Sequence, residues 1–312
     1  MFLFSYFRFG IEGLHLALSE DGLHWRVLNA NAPVFASNLG TKSLRDPFLL
    51  RDKNGLFHLF ATNGWTGTDC FHAVSDDLIG WRNERLIPLM DKVAGARNVW
   101  APEVFCEKES GLYYLIWSSS TAEQIDTLHD WHQRVWSSSS ENLENWTPAA
   151  PLFDFGFSVI DPCFVQEKNG SILMAFKDER GKNRGHENEA SVQSKAIKIA
   201  RAPHIGGPWK IEDGFVSPNL SEGPTLFWRH DSELGEGWTV LFDHFGALQF
   251  GASHCADGKN WVDISDRLKM VEGRPHHGSV LEISSEEAAK LEQFFAANRI
   301  EVAPQIAPPP TI

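Results

Sequence analysis

Long hydrophobic runs are absent. Nothing in the 312 residues approaches the roughly 18–20 consecutive apolar positions that a membrane-crossing helix needs. Basic residues are outnumbered, 28 Lys and Arg facing 41 Asp and Glu, for a net charge of −13. That balance excludes a sequence-independent grip on nucleic acid and on an anionic membrane, both of which need a basic surface; it leaves neutral ligands unopposed. Cysteine is sparse. Cys70, Cys106, Cys163 and Cys255 lie far apart and none forms a C-x-x-C pair, which removes a zinc ribbon and a dithiol redox site. They read as buried free thiols of a reducing compartment, so a cytoplasmic chain is the expectation, with a periplasmic or secreted one the alternative if a leader was removed. The apolar N-terminus, Met1 to Gly10, has no basic first segment and no small-residue cleavage site, and it carries Arg8 within; it reads as a strand rather than a secretory leader. What the chain does have is apolar residues at 42%, charged residues at only 22%, 12 Trp and 22 Phe. General disorder is thereby excluded. So many large rings must pack somewhere, and sugar-binding clefts are one place that uses them.

A motif recurs five times: Ser or Ala, acidic or turn residues, then Trp. Its copies are Ser19 to Trp25, Ser75 to Trp81, Ser140 to Trp146, Ala202 to Trp209 and Ala256 to Trp261. A period of roughly 50–65 residues signals a repeat architecture. Each period holds short apolar runs separated by Gly-containing turns, such as Asp52-Lys-Asn-Gly55 and Lys168-Asn-Gly170, which are hairpin signals. About four antiparallel strands per period make one blade of a β-propeller. The expected fold is all-β, a five-bladed propeller over residues 1–283. Its fifth blade joins His277–Ile283 to the N-terminal strands, removing the exposed sheet edge of an open array. Residues 284–312 are expected to form a short helix, introduced by a Ser284–Glu287 capping box, and a Pro-rich tail.

The residues opening each inner strand converge near the axis of such a ring. They are Asp46-Pro47, Trp100-Ala-Pro102, Asp161-Pro162, Glu222-Gly-Pro224 and His276-His277-Gly278. Any one of these is an ordinary strand entry, because Asp caps turns and Pro suits a first strand position. Three carboxylates at equivalent places in one ring are different, since clustered like charges disfavour ionisation. The chemistry they suit is glycoside hydrolysis, for which an inverting enzyme needs two carboxyl groups. One carboxylic acid protonates the leaving oxygen, and a carboxylate about 6.5–9.5 Å away activates water. A third carboxylate beside the acid is expected to raise its pKa.

Arg45-Asp46-Pro47-Phe48, Val99-Trp100-Ala101-Pro102-Glu103, Val159-Ile160-Asp161-Pro162, Ser221-Glu222-Gly223-Pro224 and His277-Gly278-Ser279-Val280 together resemble the signature of glycoside hydrolase family 43, in motif order. The resemblance implies a five-bladed propeller and inverting hydrolysis, typically of α-L-arabinofuranosides or β-D-xylosides. By motif, Asp46 resembles the general base, Asp161 the pKa modulator and orienter, and Glu222 the general acid. His277 resembles the channel histidine near which many members hold calcium or another cation. The cofactor expectation is therefore none for the chemistry and, through the resemblance alone, a structural calcium in the channel beside His277.

Substrate-binding candidates are Trp100 and Trp65 as walls for a sugar face, Lys177 as donor to a hydroxyl or holder of Asp161, Arg274 ahead of the His pair, and His277 itself. Glu103, Asp243 and His244 lie near strand ends and rank behind them. Gly181 to Ser194, with Gly185 and His186, reads as a polar rim loop. The chain lacks the appended β-sandwich that many xylosidases of the family carry, which suggests a more open pocket or subunit contacts. The expected activity is release of terminal pentose from plant cell-wall oligosaccharides or polysaccharides. α-L-Arabinofuranosidase is favoured over β-xylosidase; a non-catalytic sugar-binding propeller and a retaining fructan-cleaving propeller are the competing readings. The expected partner is an oligosaccharide or polysaccharide, with no nucleic acid and no membrane.

Overall fold

A computed structural model of the chain describes residues 1–121, 131–181 and 195–301. The rim-loop expectation at Gly185 and His186 and the Pro-rich tail lie outside these residues. Five four-stranded antiparallel sheets stand round one axis. Four are continuous in sequence, and their inner strands are Leu44–Arg51, Trp100–Cys106, Val159–Gln166 and Glu222–Asp231, which head blades 1 to 4. Blade 5 is composite: His276–Glu282 is its inner strand and Phe2–Phe7 its second, with Phe2 paired to Glu282 and Phe4 to Val280. Ring closure therefore joins the two ends of the chain, as the sequence pattern implies.

The repeat motif has a local cause. In three copies the opening serine hydroxyl accepts the N–H three residues on: Ser19 from Gly22, Ser75 from Leu78 and Ser140 from Leu143. An Asp or Asn just after the opening residue closes the turn by accepting later N–H groups, as Asp21, Asp77, Asn142 and Asp257 do. These side-chain turns reverse the chain between the third and fourth strands of a blade. Five apolar clusters follow, each made mainly from two adjacent blades; Phe60, Leu115 and Trp117, for example, join blades 1 and 2. The core of the molecule is thus a set of seams between blades.

Inside the channel, four of the five junctions carry a further tie. Ser279 accepts from Leu49 N–H at 3.0 Å, Thr225 from Val280 N–H at 3.1 Å and Cys163 from Leu226 N–H at 3.3 Å, while Phe164 N–H serves Glu103. These acceptors occupy the same register in successive inner strands. In blade 1 that register holds Phe48, which has nothing to offer a neighbouring N–H. Glu103, buried and pushed up to about 8 by burial, is a neutral acid at pH 7.

The helix Ser285–Ala297 starts at the expected capping box, the Ser284 hydroxyl accepting from Glu287 N–H. Its Ala288, Leu291 and Phe295 enter the seam between blades 5 and 1. Arg51 of blade 1 and Arg26 of blade 5 reach it through Glu287 at 2.7 Å and Glu292 at 2.6 Å. The helix bridges the junction where the two chain ends meet.

Candidate active site

The X-Pro dipeptides that open the inner strands are β-bulges. Pairing skips from Arg45 to Phe48, from Trp100 to Glu103, from Ile160 to Cys163 and from Glu222 to Thr225. Two residues stand opposite one at each place, so the proline's missing N–H removes no ladder bond. The residue before each proline has positive φ: 48° at Asp46, 47° at Ala101, 53° at Asp161 and 57° at Gly223. The bulge is what re-aims those positions toward the axis.

Register corrects one expectation. Asp46 and Asp161 occupy equivalent bulge positions, but Glu222 stands one residue earlier, where the other blades have Arg45, Trp100 and Ile160. Its bulge position is Gly223, for a reason of space: a Cβ there would fall 2.6 Å from Cγ of His277. With no side chain allowed at 223, the acid moves to 222 and reaches the axis on its longer stem.

Asp46, Asp161, Glu222, Trp65, Trp100 and His277 line one pocket, together with Arg45, Phe7, Phe9, Thr62 and His276. Asp46 is held through Oδ2, which accepts the Thr62 hydroxyl at 2.7 Å; Thr62 in turn accepts Ala101 N–H at 2.8 Å. Its other oxygen, Oδ1, lies 3.7 Å from His277 Nδ1, and Asp161 Oδ1 lies 3.9 Å from the same nitrogen. Asp161 accepts Gly223 N–H at 3.0 Å. Burial raises its pKa to about 6; His277 and Lys177 oppose the shift, and the carboxylates of Glu222 and Asp46 add to it.

Glu222 behaves the other way. Burial pushes its carboxyl up, but the Lys177 ammonium, 2.7 Å from Oε2, outweighs burial and holds it below its usual range. Asp161, rather than Glu222, is thus the carboxyl that keeps a proton nearest neutrality, contrary to the simple expectation of a raised acid. The reason is Lys177, whose direct partner is Glu222 rather than Asp161. Lys177 is itself shared: Glu179 Oε1 stands 2.6 Å from it, and Lys195 pairs with Glu179 Oε2 at 2.9 Å.

The pocket wall is aromatic. Trp65 and Trp100 meet edge to face with centroids 5.9 Å apart, and Trp100 Nε1 donates to the Trp65 carbonyl at 2.9 Å. Arg45 lies over three rings, Phe7, Phe9 and Trp65, at 4.6, 4.7 and 4.4 Å, while pairing with Glu12 at 2.9 Å. Arg274 is not in this pocket; it is exposed and borders an adjoining cavity that Glu222 shares. Asp243 orients His276 through a 2.9 Å contact, whereas His244 is outside both linings.

Arg45, Thr62, Phe7 and Phe9 are absent from the sequence-derived candidates, and His276 appears there only as the neighbour of His277. Arg45 precedes Asp46 and Thr62 opens Thr62-Asn-Gly-Trp65, so adjacency to a motif was a usable signal for both; the phenylalanines carried none. For a cation, the donor set fits poorly. Calcium takes about six to eight oxygen ligands, and among the described residues no group of three or more His, Cys, Asp or Glu side chains is arranged to hold a metal.

A family model described as a probable glycosyl hydrolase domain, of the family 43-related type, matches residues 1–289. An arabinan endo-1,5-α-L-arabinosidase C from Emericella nidulans is 34% identical over 114 residues, which cover 35% of this chain and 32% of that protein. Among solved structures, an α-L-arabinofuranosidase from Lactobacillus brevis superimposes with TM-score 0.52 at 13% identity, over 78% of this chain and 74% of that one. The GH43_1 enzyme of Xanthomonas citri complexed with xylotriose gives 0.53 at 14%, over 73% and 75%. The catalytic domain of a GH62 α-L-arabinofuranosidase from Coprinopsis cinerea gives 0.53 at 14%, over 79% and 75%. At these identities the structures share the fold.

Proposed function

This chain belongs to the family 43-related glycoside hydrolases, and from that membership we propose that it is an inverting glycosidase releasing terminal pentose, α-L-arabinofuranosyl units first, from plant cell-wall saccharides. The observation that carries the reading is the convergence of Asp46, Asp161 and Glu222 on one pocket walled by Trp65 and Trp100. The pocket is small, about 100 Å³, which favours one terminal sugar ring over a threaded chain. The partial match to an arabinan-cleaving relative supports arabinose over xylose.

In the proposed reaction Asp46, steadied by Thr62, takes a proton from water as the water oxygen bonds to the anomeric carbon. The bond from that carbon to the leaving oxygen breaks, and Glu222 gives the leaving oxygen a proton. Glu222 must first be loaded. Asp161, pushed up to about 6 by burial, stands beside it and bonds the next residue, Gly223. Lys177 can release Glu222 without being left an unpaired buried cation, because Glu179 retains it. After turnover Asp46 carries the water proton, Glu222 is ionised, and exchange with solvent resets both.

A panel of 4-nitrophenyl pentosides and hexosides tests the activity, with anomer formation followed by NMR to test inversion. Glu222→Gln and Asp46→Asn are expected to cut turnover by about 10²–10⁴-fold with unchanged melting temperature. Near-normal rates in both variants would defeat the assignment. No cleavage of any glycoside would favour a sugar-binding propeller, and retained configuration would require a covalent route.

A further inference from the structure

Glu222 faces two cavities. Beyond the pocket of Asp46 and Asp161 lies a larger one, about 450 Å³, whose walls are Phe9, Phe245, Leu248, Gly273, Arg274 and His276. Phe9, Glu222 and His276 belong to both. An acid placed between two compartments is positioned to serve an oxygen joining what fills one to what fills the other.

We propose that this second cavity receives the leaving-group sugar and that Arg274 there selects one bearing a carboxylate, a hexuronic acid. The inference rests on the reading of Glu222 as the acid that protonates the leaving oxygen.

The cavity has the parts that a sugar needs. Phe9 and Leu248 are 55% and 51% exposed, among the few large apolar side chains left open in the described residues, and they offer faces for the C–H side of a ring. Phe9 is fixed edge-on against His276 with centroids 4.2 Å apart. His276 Nδ1 is engaged by Asp243 at 2.9 Å, and its other ring nitrogen has no hydrogen-bond partner among the described residues.

Arg274 supplies the charge. Among the described residues it makes no hydrogen bond and no ion pair, although its chain carries a net charge of −13. Its backbone has φ +56°, a left-handed conformation that side-chain-bearing residues seldom adopt and that tends to be kept at functional sites. The turn is braced from below: Arg8 Nε donates to the Gly273 carbonyl at 2.7 Å, and Arg8 Nη1 to that of Asn31 at 3.1 Å. Of the other cations nearby, Lys177 is consumed by Glu222 and Glu179, Arg45 pairs with Glu12, and Arg8 spends its donors on the Gly273 and Asn31 carbonyls. An anionic ligand entering beside Glu222 therefore meets like charge from that side, and Arg274 is the guanidinium left to offset it. A guanidinium fork matches a carboxylate in two parallel hydrogen bonds, which a neutral hydroxymethyl group cannot reproduce.

The test compares disaccharides in which the same pentose is linked to a hexuronic acid or to the matching neutral hexose, with 4-nitrophenyl pentoside as reference. The wild-type protein is expected to prefer the uronate by about tenfold or more in kcat/KM, and Arg274→Gln to abolish the preference while leaving the neutral disaccharide and the nitrophenyl substrate within about twofold. Free hexuronate is expected to inhibit the wild type better than the neutral hexose does, and not to discriminate in Arg274→Gln. Since Arg274 is exposed and without described contacts, folding is not at stake; a melting curve checks this. Equal rates on both disaccharides in the wild type, or equal loss on both in the variant, overturn the proposal even when the nitrophenyl substrate is cleaved. Failure on every substrate, the nitrophenyl pentoside included, instead strikes the reading on which the proposal rests.

Discussion

Glu222 is drawn two ways, and which pull prevails is decided by a lysine 45 positions away in the chain. Burial among Asp161, Asp243 and Glu179 favours a neutral carboxyl; the ammonium of Lys177 favours the anion, His277 assists it, and the anion prevails. Lys177→Met should remove that preference and raise the proton affinity of Glu222, while Glu179 stays paired with Lys195. An acid works while protonated, so the alkaline limb of the kcat/KM profile should move to higher pH, whereas Lys177→Arg should leave it nearly in place. A pH series on an activated aryl glycoside reads this, and an unmoved limb in the Met variant would refute it. None of this was legible in the sequence. Asp46 and Asp161 show themselves because Asp-Pro at a strand entry is a local word. The partner of Lys177 and the aromatic box round Arg45 depend on contacts between blades, and no local spacing encodes them.

At the scale of the strand, the informative device is the bulge. Sequence pattern places the inner strands correctly because Pro and the turn residues punctuate them, yet it shows neither the slip in register nor the reason that blade 4 carries its acid one residue early. The reason is the contact between Gly223 and the His277 ring. Gly223→Ala should therefore cost more than the roughly 1–2 kcal/mol expected of a left-handed backbone alone, because the added Cβ also strikes that ring. Gly156, with φ +79° and nothing within 4 Å of its would-be Cβ, supplies the control: Gly156→Ala should show the backbone cost only and keep full activity. Denaturant melts and turnover of the two variants measure the difference; equal destabilisation would remove the steric explanation.

At the scale of the molecule, the ring and its composite blade were the most readable features. A fivefold repeat with unmatched strands at its two ends has one economical closure, and the observed pairing of Phe2–Phe7 with His276–Glu282 realises it. What the pattern did not show is that the terminal helix plugs that same seam. Leu291→Ala, in the middle of the helix and 1% exposed, should cost about 2–5 kcal/mol. The loss should be felt first where the ends meet, so amide exchange in Phe2–Phe7 should quicken ahead of exchange in the inner strands of blades 2 and 3. Uniform quickening throughout the ring would mean that the seam has no separate stability.

Four junctions of the ring are laced inside the channel, and the fifth, where Phe48 interrupts the lacing, is joined at the mouth instead. The fastener there is Thr62, bonded across the gap to Ala101 N–H, with Trp100 reaching back to the Trp65 carbonyl beside it. Thr62 also steadies Asp46. One small hydroxyl thus has two dependants, a proton acceptor and a mechanical joint. Whatever occupies the mouth meets that joint, and loss of the Thr62 hydroxyl would unfasten the joint and the carboxylate together.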